Sequence, residues 1–145
     1  MPAPTRHDPY KNFPFRVEIE GLTVSGFSEV SGLSATADVI EYREGADVTT
    51  TRKLPGLVRY PNVTFRRGVT GSRELFDWWT TVVNGSVQRR TVVVILLDDA
   101  RTEVLRWVLH DAWITKFEFG ELNAEGNDVA IETIEIAHER LELVS

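Results

Sequence analysis

From Leu105 to Phe119 the chain alternates for fifteen residues. The odd positions read Leu, Trp, Leu, Asp, Trp, Thr, Phe, Phe, while the even positions include Arg106, His110, Lys116 and Glu118. Successive side chains of a strand point to opposite faces, so a period of two marks a long strand with one buried face. Asp111 falls on the apolar side, and an interruption is expected there. A second stretch, Val129–Leu143, alternates with two slips: Val129 and Ile131 are odd, Ile134 and Ile136 even, Leu141 and Leu143 odd again. A one-residue slip swaps faces, so bulges are expected near residue 132 and at 137–138.

The rest of the chain supports a mainly β fold. Phe13, Phe15, Val17 and Ile19 share one face of a strand, and a Glu20-Gly21 turn leads to a second strand, Leu22–Val30, forming a hairpin. Ser34–Glu44 reads as a third strand with no strongly apolar face. Leu54-Pro55-Gly56-Leu57 suits a type II turn, with a further turn at Tyr60–Val63 and a strand at Asn62–Arg67. Thr91–Leu97 is apolar on both faces, as a central strand would be. One helix stands out, about residues 72–84, where Leu75, Trp78, Trp79, Val82 and Val83 make an apolar stripe. Ser72 is placed to cap it and Gly85 to end it. The expectation is a two-sheet β-sandwich or barrel with that helix flanking it. Residues 1–12 form an N-terminal arm, 13–145 one domain, and about 45–61 an extended loop.

At 145 residues the chain has the size of one domain, able to bury about 68–70% of its unfolded surface. It has no cysteine, which removes disulfides and thiolate metal sites. No uncharged run exceeds Trp78–Gln88, too short to span a bilayer, and the first ten residues lack a signal-peptide core. The net charge of −6 opposes general nucleic-acid binding. Against that balance stands Thr51–Gly68, with Arg52, Lys53, Arg59, Arg66 and Arg67 and no acid. Elsewhere 11 basic residues face 22 acidic ones. Such a stretch can be a solvated loop and strand, a protein interface, or, with Tyr60 and Phe65 among its cations, a stacking groove for single strands.

Catalytic patterns are missing. The pairs His7-Asp8, His110-Asp111 and His138-Glu139 match no metal-ligand spacing. Gly26–Val30 and Gly32–Thr36 lack the closing glycine of a nucleophile elbow. Glu132/Glu135 and Glu139/Glu142 are three apart, which on a strand separates the partners onto opposite faces. There is no phosphate-binding glycine motif. A monomeric β-barrel binding module for a small ligand or single-stranded nucleic acid stays open on these grounds, as does an unrecognised carboxylate hydrolase.

Arg52–Gly68 (RKLPGLVRYPNVTFRRG) resembles the signature of the tail tube proteins of contractile phages and related injection particles. Asp8–Ile19 (DPYKNFPFRVEI) is similar to the first strand of that family, Gly26–Leu33 (GFSEVSGL) to its second strand and turn, and Glu74–Trp79 (ELFDWW) to its helix. The likeness runs over about residues 8–143 in the same order. It implies an Hcp-like β-sandwich or barrel that is structural, neither enzyme nor cofactor carrier. It implies hexameric rings stacked into a hollow tube, with strands of all subunits joined in one barrel around a lumen, driven into a target when a surrounding sheath contracts. The implied partners are further copies, sheath protein, baseplate or spike and cap proteins, and lumen cargo, without membrane insertion or sequence-specific nucleic-acid binding. Assembly is expected in the cytoplasm, within a phage tail or tail-like particle that can be released outside the cell. On this reading Arg52, Lys53, Leu54, Pro55, Gly56, Arg59 and Tyr60 form an assembly surface that meets Glu118, Glu121 or Glu125 of another subunit. Thr36, Asp38 and Glu41 belong to the lumen wall.

Overall fold

The computed structural model describes residues 14–24, 26–43, 45–46, 49–126 and 129–144. The arm expected over 1–12 lies outside them, as does Phe13. The elements run β1 (Phe15–Ile19), β2 (Phe27–Ser31), β3 (Thr36–Tyr42), β4 (Arg52–Arg59), β5 (Val63–Gly68), α1 (Glu74–Val83), β6 (Arg90–Leu97), β7 (Glu103–Phe119), β8 (Ile131–Ala137) and β9 (Arg140–Val144).

The long alternating segment becomes β7 and joins two sheets. Its first part pairs with β6 and β9, and β1 adds to β6, giving a first sheet in the order β1-β6-β7-β9. From Trp113 onward β7 pairs with β8, and the second sheet runs β7-β8-β5-β2, antiparallel throughout. The changeover lies at Asp111, which holds a positive φ of 54°, so the interruption expected there is real. Between the sheets sit Val17, Ile19, Val92, Val94 and Leu109 from the first, Val63, Phe65, Ile114, Ile134 and Ile136 from the second, and Leu75 and Trp78 from the helix.

Several local expectations are corrected. Leu22 makes only an isolated bridge to Ile19, and β2 pairs with β5 instead of β1, so there is no β1–β2 hairpin. The helix begins at Glu74, and its cap falls one residue later than expected, on Arg73, with no side-chain cap; Ser72 Oγ is 3.5 Å from the Glu74 amide. Gly85 does close it, at φ 76° with its N–H donating to the Val82 carbonyl. No bulge occurs near residue 132. Glu132 is itself buried, in phase with Ile134 and Ile136, while Ile131 faces outward. The slip at 137–138 is a break, where the chain leaves β8 and crosses to the first sheet as β9.

The largest correction concerns the loop expected over about 45–61. Arg52–Arg59 is a strand, paired to β3 from Thr36↔Arg59 to Tyr42↔Arg52. Pro55-Gly56 makes no turn. The register shifts between Ala37 and Val39, so Gly56 and Leu57 together oppose Asp38 in a bulge. Nor does Tyr60–Val63 turn: it joins β4 to β5 directly. Thus β2–β3 and β4–β5 are two halves of one long hairpin. Its proximal half belongs to the second sheet, and its distal half, β3–β4, continues past the sheet as an arm.

Gly32 makes that continuation possible. It has φ 95°, and a Cβ there would lie 2.5 Å from the Asn62 carbonyl oxygen on the facing strand. Gly32→Ala is expected to destabilise by about 1–3 kcal/mol through strain and the clash. Gly26→Ala, at φ 80° with open space around it, should cost less. Urea denaturation of both variants against the parent checks the ordering.

Candidate assembly surfaces

The arm lacks a core of its own. Val39, Ile40, Tyr42, Leu54, Leu57 and Val58 are all exposed, Leu57 to 70%. Paired residues of antiparallel strands share a face, so Ile40 and Leu54 lie on one side and Val39, Pro55 and Val58 on the other. Both faces are therefore partly apolar and neither is covered. A two-stranded ribbon is marginal in water without something to pack against.

The basic stretch separates into two groups. Arg59 is 3.0 Å from Asp38, Arg66 is 2.9 Å from Glu29, and Arg67 forms an ion pair with Glu132. Arg67 and Glu132 are 2% and 3% exposed, and the guanidinium also lies 5.4 Å from the centre of the Phe27 ring. Arg52 and Lys53, opposite Tyr42 and Glu41 on the arm, have no ion pair among the described residues. Tyr60 sits at the arm's root, 5.7 Å from the His138 ring, whose Nε2 is 3.2 Å from the Pro61 carbonyl oxygen. Of the three wall residues, Thr36 and Asp38 share one face of β3 and Glu41 lies on the other.

The register fixes where these features stand. At one end of the second sheet Val63, Ile136 and Ile114 are level, with Ser31 paired one residue further in, to Thr64, and there the arm departs. At the other end Phe27, Arg67, Glu132 and Phe119 are level, and there the loop 120–126 projects. Glu118, Glu121 and Glu125 belong to this loop end. Glu118 is 3.1 Å from Lys116, whereas Glu121 and Glu125 are exposed without a basic partner among the described residues. The loop end also exposes Val69, Phe76, Phe119, Leu122, Val129 and Ile131. Phe76, Phe117 and Phe119 stack edge to face at 5.5 and 5.0 Å and form one wall of a cavity of about 330 Å³. Most of the exposed large apolar side chains among the described residues thus gather at two opposite ends.

The sequence expectation joined Arg52, Lys53 and Arg59 to Glu118, Glu121 and Glu125. Within one copy the structure keeps the two sets apart, at the arm end and the loop end. Beyond Leu54 and Pro55, the sequence reading missed the apolar component of both. Its signal was the Val39-Ile40 and Leu57-Val58 pairs, consecutive apolar residues that no one-sided strand can bury.

Among the described residues the edges of the second sheet are also open: β2 pairs only with β5, and Trp113–Phe119 of β7 pairs only with β8. No group of three metal-ligating side chains is found among the described residues, and no helix there is long and apolar enough to cross a membrane. Glu132 and Glu135 face opposite sides of β8, as expected from their spacing. His110 is 3.0 Å from Glu142 in a cross-strand contact between β7 and β9.

Comparison with known proteins bears on this geometry. The model of the T4-like virus tail tube protein gp19 family matches residues 11–142. No curated protein matches the sequence. A chain of the sheath–tube complex of PVC, an extracellular contractile injection system, is 30% identical with a TM-score of 0.84, over 94% of this chain and 92% of that one. A chain in the tube-terminating cap of the anti-feeding prophage is 25% identical with a TM-score of 0.87, over 99% and 96%. Hcp1 from Flavobacterium johnsoniae, 17% identical with a TM-score of 0.58 over 90% and 94%, shares the fold. The family match spans nearly the whole chain, so this chain belongs to the T4-like virus tail tube protein gp19 family, whose members are structural tube proteins.

Proposed function

We propose that copies of this chain close into hexameric rings by joining the open edges of the second sheet, and that the rings stack into the hollow inner tube of a contractile tail or injection system. One observation carries this reading. The second sheet has four strands in strict antiparallel alternation, so its edge strands, β2 and the end of β7, run in opposite directions. A copy rotated about an axis along the strands brings its β7 beside its neighbour's β2, still antiparallel. An even strand number lets the alternation continue around the ring and satisfies the edges that a single copy leaves bare.

The first sheet covers one face of the second, so closure turns the other face to the axis. That face carries Glu29, Thr64, Arg66, Thr133 and Glu135, with Arg66 paired to Glu29 and Asn62 donating to Glu135. It offers a polar wall to cargo in transit. The arm prolongs the wall, and Thr36, Asp38 and Glu41 ride on it. The role is structural and non-catalytic, and the outer surface meets the sheath, with baseplate or spike and cap proteins at the tube's ends. Rings form in the cytoplasm and act within a particle that works outside it.

The arm is the assembly surface, with Arg52 and Lys53 reaching the acids Glu118, Glu121 and Glu125 of another copy. Charge complementarity of this kind sets register and rejects wrong pairings. Arg52→Glu combined with Lys53→Glu is expected to leave a folded subunit that forms no tubes. Negative-stain images of the concentrated parent should show rings and tubes; a parent that stays monomeric with its sheath and baseplate present overturns the reading. Tubes of ordinary length from the double variant overturn the role of those two charges.

A further inference from the structure

We infer that Asn84-Gly85, at the end of helix α1, is a self-modification site whose chemistry the folded helix cap holds in check. The inference stands apart from the tube reading. This is the one Asn-Gly pair in the sequence. In such a pair the glycine nitrogen can attack the Asn side chain, because no Cβ on the following residue hinders the approach. The Gly85 nitrogen bonds to Asn84 Cγ as the Cγ–Nδ2 bond breaks. The side-chain nitrogen leaves as ammonia, taking the proton of the Gly85 N–H. Water then opens the cyclic imide. Cleavage between Cγ and the nitrogen gives aspartate. Cleavage at the main-chain carbonyl carbon gives isoaspartate, in which the chain runs through the side chain. Nothing is oxidised or reduced.

Asn84 is exposed, so water reaches the site. The backbone opposes the first step. Asn84 has φ −81° and ψ −2°, which turns the Gly85 nitrogen away from the Asn84 side chain. That nitrogen is also engaged, its N–H donating to the Val82 carbonyl at 3.1 Å. Beside it the Asn84 N–H donates to the Thr80 carbonyl at 3.0 Å and the Ser86 N–H to the Thr81 carbonyl at 2.9 Å. These bonds satisfy carbonyls that a helix end otherwise leaves bare. Attack on Cγ requires the cap to open first, and helix ends open at far lower cost than a core. The rate of modification therefore follows how often the cap is open.

The two products undo different things. Aspartate adds a negative charge at the negative end of the helix, where the last turn holds no basic residue to offset it. Isoaspartate also lengthens the main chain by one carbon before Gly85. The Gly85 and Ser86 N–H groups then lose their alignment with the Val82 and Thr81 carbonyls. The effect reaches the core. Thr81 Oγ1 accepts from the Gln88 N–H at 3.3 Å, and the Gln88 carbonyl accepts from the buried Trp78 indole at 2.7 Å. The closed cap thus guards the site, and conversion weakens the cap in every later folding. A copy that lingers unfolded carries a lasting mark of it.

The test holds the parent chain in mildly alkaline buffer, native in one sample and unfolded by guanidinium chloride in the other. Mass spectrometry follows the peptide that contains Asn84, with chromatography to separate aspartate from isoaspartate. Conversion is expected to be at least about tenfold slower in the native sample, since the cap must open before the attack. Asn62, followed by the β-branched Val63 and donating to Glu135 at 2.9 Å, is the internal reference and should stay unconverted in the native sample. Asn84→Gln should resist conversion in both samples, because its longer side chain closes the ring far more slowly. Returned to native conditions, the converted parent should melt at a lower temperature than unconverted parent. Asn84→Gln with the same history should melt as it did before. Equal rates in the two samples overturn the guarding role of the cap. An Asn84 that survives in the unfolded sample overturns the site itself. A converted chain that melts with the unconverted parent overturns the effect on the helix end.

Discussion

Glu132→Ala is expected to lower the free energy of unfolding by about 3–5 kcal/mol, a large share of the roughly 5–15 kcal/mol that holds a domain together. The cause is the guanidinium left behind. Arg67 and Glu132 face each other across β5 and β8, both buried. Their attraction in a poorly solvated site offsets the cost of removing two charges from water. Deleting the carboxylate leaves the cost for Arg67 with much of the return gone, and the contact with Phe27 is worth only about 1–2 kcal/mol. The double substitution Arg67→Met with Glu132→Leu removes both charges and keeps the volume, so it should be close to neutral or stabilising. Urea unfolding of the two single variants and the double variant at low protein concentration, where assembly does not add to the measured stability, gives the comparison. A single-variant loss under about 1 kcal/mol would show that water reaches the pair, as it does in exposed ion pairs.

Trp78→Ala should cost about as much, 3–5 kcal/mol, for a different reason. The indole is 2% exposed and packs helix α1 onto the core between the sheets. Its N–H donates to the Gln88 carbonyl at 2.7 Å, which ties the helix to the segment leading into β6, and the Arg90 guanidinium lies 5.9 Å from its ring centre. Truncation opens a cavity that two packed sheets cannot collapse to fill. It also strands the Gln88 carbonyl. Trp78→Phe retains much of the packing and loses the hydrogen bond, so its cost should be nearer 1–3 kcal/mol. Loss of far-ultraviolet circular dichroism on heating, read for both variants, separates packing from hydrogen bonding. Equal losses for Phe and Ala would mean that ring packing contributes little.

Much of the fold was legible where the pattern is local. The alternation from Leu105 to Phe119 and the stripe from Leu75 to Val83 are consequences of backbone period, and both elements lie within a residue or two of their expected places. Strand pairing was harder. The hairpin expected from β1 to β2 is sequence-adjacent, but Phe27 packs on Phe65 at 5.6 Å and draws β2 to β5, far along the chain. Glu132 misled in another way. A charge on the buried face looks like a change of face, because a single sequence does not show that Arg67 waits opposite. The arm was hidden by its own chemistry: Pro55-Gly56 is good turn material, and here the bulge opposite Asp38 absorbs it.

The candidate surface was legible as charge and obscure as geometry. Five cations in eighteen residues were plain from the sequence, yet three have partners inside the subunit, and only Arg52 and Lys53 stand without an ion pair among the described residues. Residue type shows that a charge exists; only the fold shows whether it is already neutralised.

The departure of the arm from one extremity, with the apolar hollow at the other, makes the two ends of the subunit chemically unlike. On the proposed stacking, a column of such subunits has a direction, and its two termini expose different surfaces however long it grows. A protein that caps one terminus then meets a different chemistry from one that caps the other.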